Sequence, residues 1–453
     1  MVCCALALIG IWAGIAKLSA VFSYGENQEE RPIFLFTGLY LLTWVVFAVA
    51  MRLAPRCESF RALAWIVIAG GVMRLVMLGA EPIQETDFYR YIWDGQVAIS
   101  GQHPFAQAPE EVEVGEIETD PEQLAAAELV YDRVNHPHVK TIYPTMAQVS
   151  FAVNVALHGW NPRGFHLTML LVDGLLMMAL YVCLVLARLP RGLLLGYSWC
   201  PLVLKEGLNS AHVDLVCALF LAVFMIAILR RATVLAAVAL AGAAFVKLTP
   251  VVLAPLVVGW IWRGQSRAAA LRWSAMFAAI CVLLALPLVL GVPAPLEGLQ
   301  AFSRDWIMNG SIYELVLLVL GGDGGWTKAL LLGLFGCGVC WAATRVEGEQ
   351  ELVRACMWAL AWLFLIGPVG HPWYLLWCLP FWLLVRSPSL LVLFAVTSLY
   401  YLNFHIAYVP GSRTRYAVLQ TAEYLPFYLF LAVRGVSWLR AGNQVDPLDS
   451  TAD

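Results

Sequence analysis

The sequence predicts an all-α fold, a polytopic bundle of transmembrane helices, and three observations carry that prediction. Of 453 residues, 61% are hydrophobic and 13% charged, with a mean hydropathy of +0.75, a balance that no water-soluble globule of this length can hide in one core. Apolar stretches of bilayer-crossing length recur from one end to the other. Between them lies one long polar interval, 81–142. A net charge of −3 lacks the basic surplus of a nucleic-acid binder, so no nucleic-acid partner is expected.

The first three stretches, 2–22, 32–51 and 61–80, read as spans. The first begins VCCALALIGIWAGIAKL with no basic segment ahead of it, so a retained helix is expected, not a cleaved signal. After the polar interval come 143–160, 165–187, 192–208, 211–229, 232–262, 269–291, 326–345, 352–367, 373–386, 388–404 and 417–437. About a dozen or more crossings are therefore expected. Lys247, Leu248, Thr249 and Pro250 interrupt 232–262, which predicts two short helices meeting at a break. Residues 1–440 form one multi-pass domain in this reading, and 441–453 a disordered cytoplasmic tail.

Basic residues resist translocation, so Arg52, Arg56 and Arg61, Arg230 and Arg231, Arg263 and Arg267, and Arg434 and Arg440 mark cytoplasmic turns. The loop with Glu26, Glu29 and Glu30 then lies outside, as does 81–142. Arg188 and Arg191 fit only if 143–160 or 165–187 is short or interfacial. Within the long loop, Glu110, Glu111, Glu113, Glu116, Glu118, Asp120, Glu122 and Glu128 have no base among them; this acidic stretch reads as a mobile lid or solvated spacer whose removal should spare activity. Ten of eleven cysteines sit in or beside apolar runs, Cys57 being the exception, and read as small hydrophobes.

Chemistry-bearing residues gather at one boundary. Glu85 to Gly95 reads ETDFYRYIWDG; on a helix Asp87, Arg90, Tyr91 and Asp94 share a face, while Phe88, Ile92 and Trp93 bury elsewhere. An interfacial helix carrying a polar site fits this pattern, and so does an aromatic belt with snorkelling charges. Further polar groups lie in or beside apolar segments: Lys205, Glu206, Asn209, His212, Asp214, Lys247, Arg304, Asp305 and His371. An ionisable group at mid-bilayer costs roughly 2.5–3.5 kcal/mol, so such residues line cavities or pair between helices. By the inferred topology they lie toward the same side as Asp87. A carboxylate that takes a hydroxyl proton, with Arg90, Lys247 or Arg304 meeting a phosphate leaving group, suits transfer from an anionic lipid-linked donor. No P-loop, dinucleotide fingerprint, zinc-protease or nucleophile-elbow pattern occurs.

These motifs, in their order, resemble the GT-C superfamily of membrane glycosyltransferases, above all bacterial α-mannosyltransferases that use polyprenyl-phosphate mannose. DFYRYIWDG at 87–95 with GQHPF at 101–105 looks like that group's first outer loop, and Asn135-His136-Pro137 followed by TIYP at 141–144 looks like its end. SAHVDL at 210–215 is similar to a histidine-x-aspartate segment, VKLTP at 246–250 to a lysine-proline break, and GHPWYLLW at 370–377 to a late outer loop. The likeness covers roughly residues 60–380; Thr145 stands where the group often has a second proline. The resemblance implies Asp87 as catalytic base, His371 as an active-site residue near the donor phosphate, and inversion at the sugar carbon. Asp94 is either a second acid or the partner of Arg90. Arg90, Tyr91, Asp94, Tyr143, His212, Asp214, Lys247, Arg304, Trp373 and Tyr374 are the expected donor- and acceptor-binding set.

The expected substrates are a polyprenyl-phosphate sugar and a lipid or glycan acceptor, handled on the extracytoplasmic face of the plasma (inner) membrane among its lipids. No cofactor is expected; Asp87, Asp94 and Glu85 form no recognisable hard-cation ligand series, and a divalent metal stays open. A transporter or lipid-linked-sugar flippase is the alternative, motivated by the break at Lys247 to Pro250, although no repeated halves are visible. A non-catalytic scaffold is a third.

Overall fold

The computed structural model describes residues 1–25, 28–292, 294–408 and 422–434. Glu26, Arg440 and the expected tail at 441–453 lie outside them. Among the described residues every regular element is helical. Helix α1 (Val2–Ser19) packs against both α2 (Ile33–Leu53) and α3 (Phe60–Leu78). Ala5, Leu8, Trp12 and Ile15 form the buried stripe of α1, at the three- and four-residue spacing of a helix with one inward face.

The polar interval holds α4 (Phe88–Ile99), α5 (Val114–Ile117) and α6 (Pro121–Tyr131). Beyond it follow α7 (Thr145–His158), α8 (Pro162–Leu186), the short α9 (Leu195–Ser198), a π-wound turn at Val203–Asn209 and α10 (Asp214–Leu229). Then come α11 (Thr233–Ala244), α12 (Ala254–Gly264), α13 (Arg267–Val289), α14 (Glu297–Asp305), α15 (Ile312–Val319), α16 (Gly324–Ala343) and α17 (Glu349–Ile366). The described chain closes with α18 (Leu379–Val385), α19 (Pro388–Val396), α20 (Leu402–Tyr408) and a helix at 422–434. Helix α10 is central, packed on α8, α11 and the 372–377 turn.

Among the described residues, seven helical stretches are long and apolar enough to cross a membrane: Val2–Phe22, Ile33–Arg56, Phe60–Leu78, Pro162–Leu186, Arg267–Val289, Gly324–Ala343 and Pro388–Ile406. An eighth is the pair Val203–Asn209 and Asp214–Leu229, bent by 119°, if it counts as one span. The sequence reading of a dozen or more crossings includes 417–437, which lies partly outside the described residues; within them the apolar helices Thr233–Ala244 and Thr249–Gly264 fall below that length, since apolarity marks burial as well as lipid contact. Helix α7 has 14 residues, about 21 Å of rise against a hydrocarbon core of roughly 30 Å. Thus 143–160 is the short member of its pair. The stretch 192–208 breaks into short turns buried in protein, where irregular backbone is tolerated, and 232–262 splits at its lysine-proline break, where Leu248 and Val251 stay exposed and Lys247 lines a cavity.

The acidic stretch is solvated on one face, as expected of a spacer, but packed on the other. Ile117, Ala127 and Val130 are buried, α6 packs on α4, and the Trp160 indole donates to Glu118 Oε2 at 2.7 Å. One face of this segment is acidic and wet while the other supports α4. All eleven cysteines are free thiols.

Two features hold the frame. In the membrane region Arg74 of α3 forms an ion pair with Asp173 of α8 at 2.5 Å, and Tyr197 donates to the same carboxylate at 2.7 Å. Where α4 crosses α7, Gly95 lies against the Phe151 backbone: a Cβ there would meet the carbonyl oxygen at 2.7 Å. Only glycine permits this approach.

Candidate active site

Asp87 is the residue before the first turn of α4, and the preceding segment is tied down from outside. Asn209 accepts from the Ile83 amide at 3.0 Å and donates to the Glu81 carbonyl at 2.8 Å. Gln84 turns with φ of 69°. This aims Asp87 into a cavity of about 310 Å³, alongside Arg90, Tyr143, Lys247, His371, Trp373 and Tyr374. The Asp87 side chain is 25% exposed, Asn135 donates to its Oδ1 at 3.0 Å, and Oδ2 lies 3.9 Å from His212 Nδ1. Oδ1 is held, while Oδ2 has no donor within hydrogen-bond distance among the described residues and so is free to accept a proton at the edge of the cavity that Asp87 lines.

Lys247 projects from the break between α11 and α12. Its ammonium is 3.5 Å from Asp214 and lies over the rings of Tyr143 and Tyr374 at 5.0 and 5.5 Å. It lines both the Asp87 cavity and a second, apolar groove of about 320 Å³, walled by Leu248, Leu299, Leu331, Leu332, Leu363 and Phe364 among others. The two spaces share Ile142, Tyr143, Lys247, Phe302 and Tyr374, so a cation and two phenols stand where polar cavity and apolar groove meet.

His371 enters on the segment after α17, which docks by a two-stranded contact: Met308 N–H donates to the Pro368 carbonyl at 3.0 Å and Gly370 N–H to the Met308 carbonyl at 2.9 Å. Trp373 is sandwiched between imidazoles, its ring 4.2 Å from His371 and 3.9 Å from His212. Burial, and then the Lys247 charge, push the His371 imidazole down to about 3, so it acts as a neutral hydrogen-bonding group at ordinary pH. Glu85 shows the reverse: burial, then the charge of Asp87, push its carboxyl up to about 8. It is a neutral acid at pH 7, and the Tyr400 hydroxyl donates to it at 3.2 Å.

The other expected residues lie elsewhere. Asp94 pairs with Arg90 at 2.8 Å and accepts from Thr141 and Gln148, while Arg90 also donates to the Val139 carbonyl at 2.9 Å. Asp94 is thus the partner of Arg90, in a brace closing the long loop over α4. Tyr91 is buried, stacked on Phe151 at 4.7 Å. His212 and Asp214 are fully buried beneath the cavity, beside Lys205 and Glu206. Arg304 is exposed, paired with its neighbour Asp305 at 2.8 Å, and lines an outer cleft instead of the Asp87 cavity.

Glu85, Asn135, His136, Trp306 and Tyr400 also line the cavity. Asn135 and His136 belong to a motif already legible in the sequence, whereas Tyr400 sits in an apolar run without any polar signal. Among the described residues no three His, Cys, Asp or Glu side chains converge as metal ligands. Comparison with protein-family models, with curated proteins and with solved structures returns no match.

Proposed function

We propose that this protein is an inverting hexosyltransferase that moves a sugar, mannose by its resemblance to the GT-C group, from a polyprenyl-phosphate donor to an acceptor hydroxyl at the extracytoplasmic face. The carrying observation is the junction at Lys247: a half-open carboxylate and an ammonium share one cavity, and an apolar groove leaves that cavity alongside α16 and α17. A lipid-linked sugar phosphate carries a sugar, an anionic phosphate and a hydrocarbon chain in series, which match the polar cavity, the ammonium and the apolar groove.

The acceptor hydroxyl gives its proton to Asp87 Oδ2 as its oxygen bonds to the anomeric carbon. The bond from that carbon to the phosphate oxygen breaks, and the electron pair leaves on the lipid phosphate. Lys247 meets the charge that develops there. His371, neutral, hydrogen-bonds the phosphate or the sugar without adding charge. Asn135 holds the base in place. The hydrocarbon chain lies in the groove. Transfer needs no divalent ion in this scheme, so activity should survive a chelator.

Purified Asp87→Asn protein should fold and insert normally yet lose transfer by about 10²- to 10⁴-fold; full activity in that variant would remove Asp87 from the chemistry. A flippase for lipid-linked sugar is the second reading, favoured by the 119° bend beside buried Lys205, Glu206 and His212. Sealed vesicles that translocate the labelled lipid but form no glycosidic bond would decide for it.

A further inference from the structure

The Asp87 cavity opens, away from the apolar groove, into an outer cleft of about 660 Å³, about twice the volume of the inner cavity at about 310 Å³. The two share His136, Val139, Lys140, Trp306 and Met308. One wall is the end of the long loop, the other is α14 and the segment after it. They are locked together: Lys140 pairs with Glu297 at 2.8 Å, and Gly298 lies so close to the Lys140 backbone that a Cβ would stand 2.2 Å from its carbonyl oxygen.

The chemistry of this cleft differs from both other spaces. Glu111, Gln300, Arg304, Asp305 and His138 line it, mixing acids, an amide, a guanidinium and an imidazole. Charges of both signs stand together, which suits neither an isolated anion nor a cation. It suits a neutral polyhydroxylated ligand, whose hydroxyls both donate and accept. Trp306 supplies a partly exposed aromatic surface, braced by His136 at 4.8 Å and by Phe302 at 5.5 Å. A sugar ring has an aliphatic face to lay on such a surface and a polar rim for the side chains around it.

We propose that the outer cleft is an acceptor subsite and that the acceptor is an oligosaccharide: its accepting hydroxyl reaches Asp87 in the inner cavity while at least one further sugar ring lies against Trp306. This rests on the transferase reading and names the acceptor class that the reading leaves open.

The test uses the full chain in detergent micelles, a polyprenyl-phosphate-mannose donor, and methyl α-mannosides of one, two and three units. Transfer and, separately, trisaccharide binding by calorimetry are measured. The wild-type trisaccharide should exceed the monosaccharide in kcat/KM by about tenfold or more, the worth of one or two polar contacts. Trp306→Ala, and on the exposed rim Arg304→Ala with Gln300→Ala, should shrink that ratio toward one through KM and weaken trisaccharide binding. Since the rim variants replace surface side chains, the ratio can be read even if Trp306→Ala is poorly folded. Transfer that is indifferent to acceptor length, or a length preference untouched by all three substitutions, would overturn the subsite while leaving the transferase standing. Trisaccharide binding that depends on Trp306 without any transfer would keep the cleft as a sugar site and sink the transferase instead.

Discussion

Asp87 owes its position to its neighbours more than to its own helix. Asn135 holds one oxygen, Asn209 ties the preceding backbone, and the second oxygen has no hydrogen-bond donor among the described residues at the wall of the cavity. In the sequence Asp87 stands out within a cluster of charge and aromatics at a span boundary, and Asn135 within the Asn-His-Pro motif; that the two meet, 48 positions apart, was decided only by folding. Glu85 yields a pH prediction. Its carboxyl, pushed up to about 8, is neutral at pH 7, and raising the pH through that value sets a second negative charge beside Asp87 and beside the anionic donor that we propose. Donor KM should therefore rise and kcat/KM fall above about pH 8. Glu85→Gln stays neutral and should flatten that alkaline limb; an unchanged limb in the variant would take Glu85 out of the site's electrostatics.

Helix α4 is the element on which the site is built, and it is clamped on two sides. Against α7, the contact at Gly95 leaves no room for a methyl group, so Gly95→Ala should lower the thermal midpoint in detergent by an amount equivalent to about 1–3 kcal/mol of overpacking and reduce activity with it. A midpoint equal to that of the parent would mean the two helices can separate freely. Against α6, Ala127 and Val130 bury an apolar edge that the run of acids around it conceals in a sequence-level reading. Composition reports the wet face of such a helix more loudly than the dry one. Deleting residues 110–128 should therefore lower both the thermal midpoint and transfer, and a deletion that retains parental activity would restore the reading of that segment as a spacer.

Across the molecule, the arrangement of α3, α8 and the turn carrying Tyr197 depends on one buried ion pair. Arg74→Met would leave Asp173 charged and unpaired among apolar helices, at a cost of about 3–5 kcal/mol, whereas Arg74→Met combined with Asp173→Leu should recover most of it. Thermal unfolding of the single and double variants in detergent checks this, and equal midpoints for the two would show that Asp173 needs no partner. The helical class and the many apolar stretches follow from the sequence alone, because a chain this apolar must satisfy its backbone internally and helices do so locally. The lysine-proline break was legible for the same local reason: proline removes a donor wherever it falls. Which apolar stretches are long enough to cross, which of the scattered charges share a cavity, and that Arg304 faces an outer cleft while Asp94 and Tyr91 brace α4 were decided only by the tertiary structure. Burial against protein and exposure to lipid demand the same side chains, and the contacts that separate them join residues far apart in the chain.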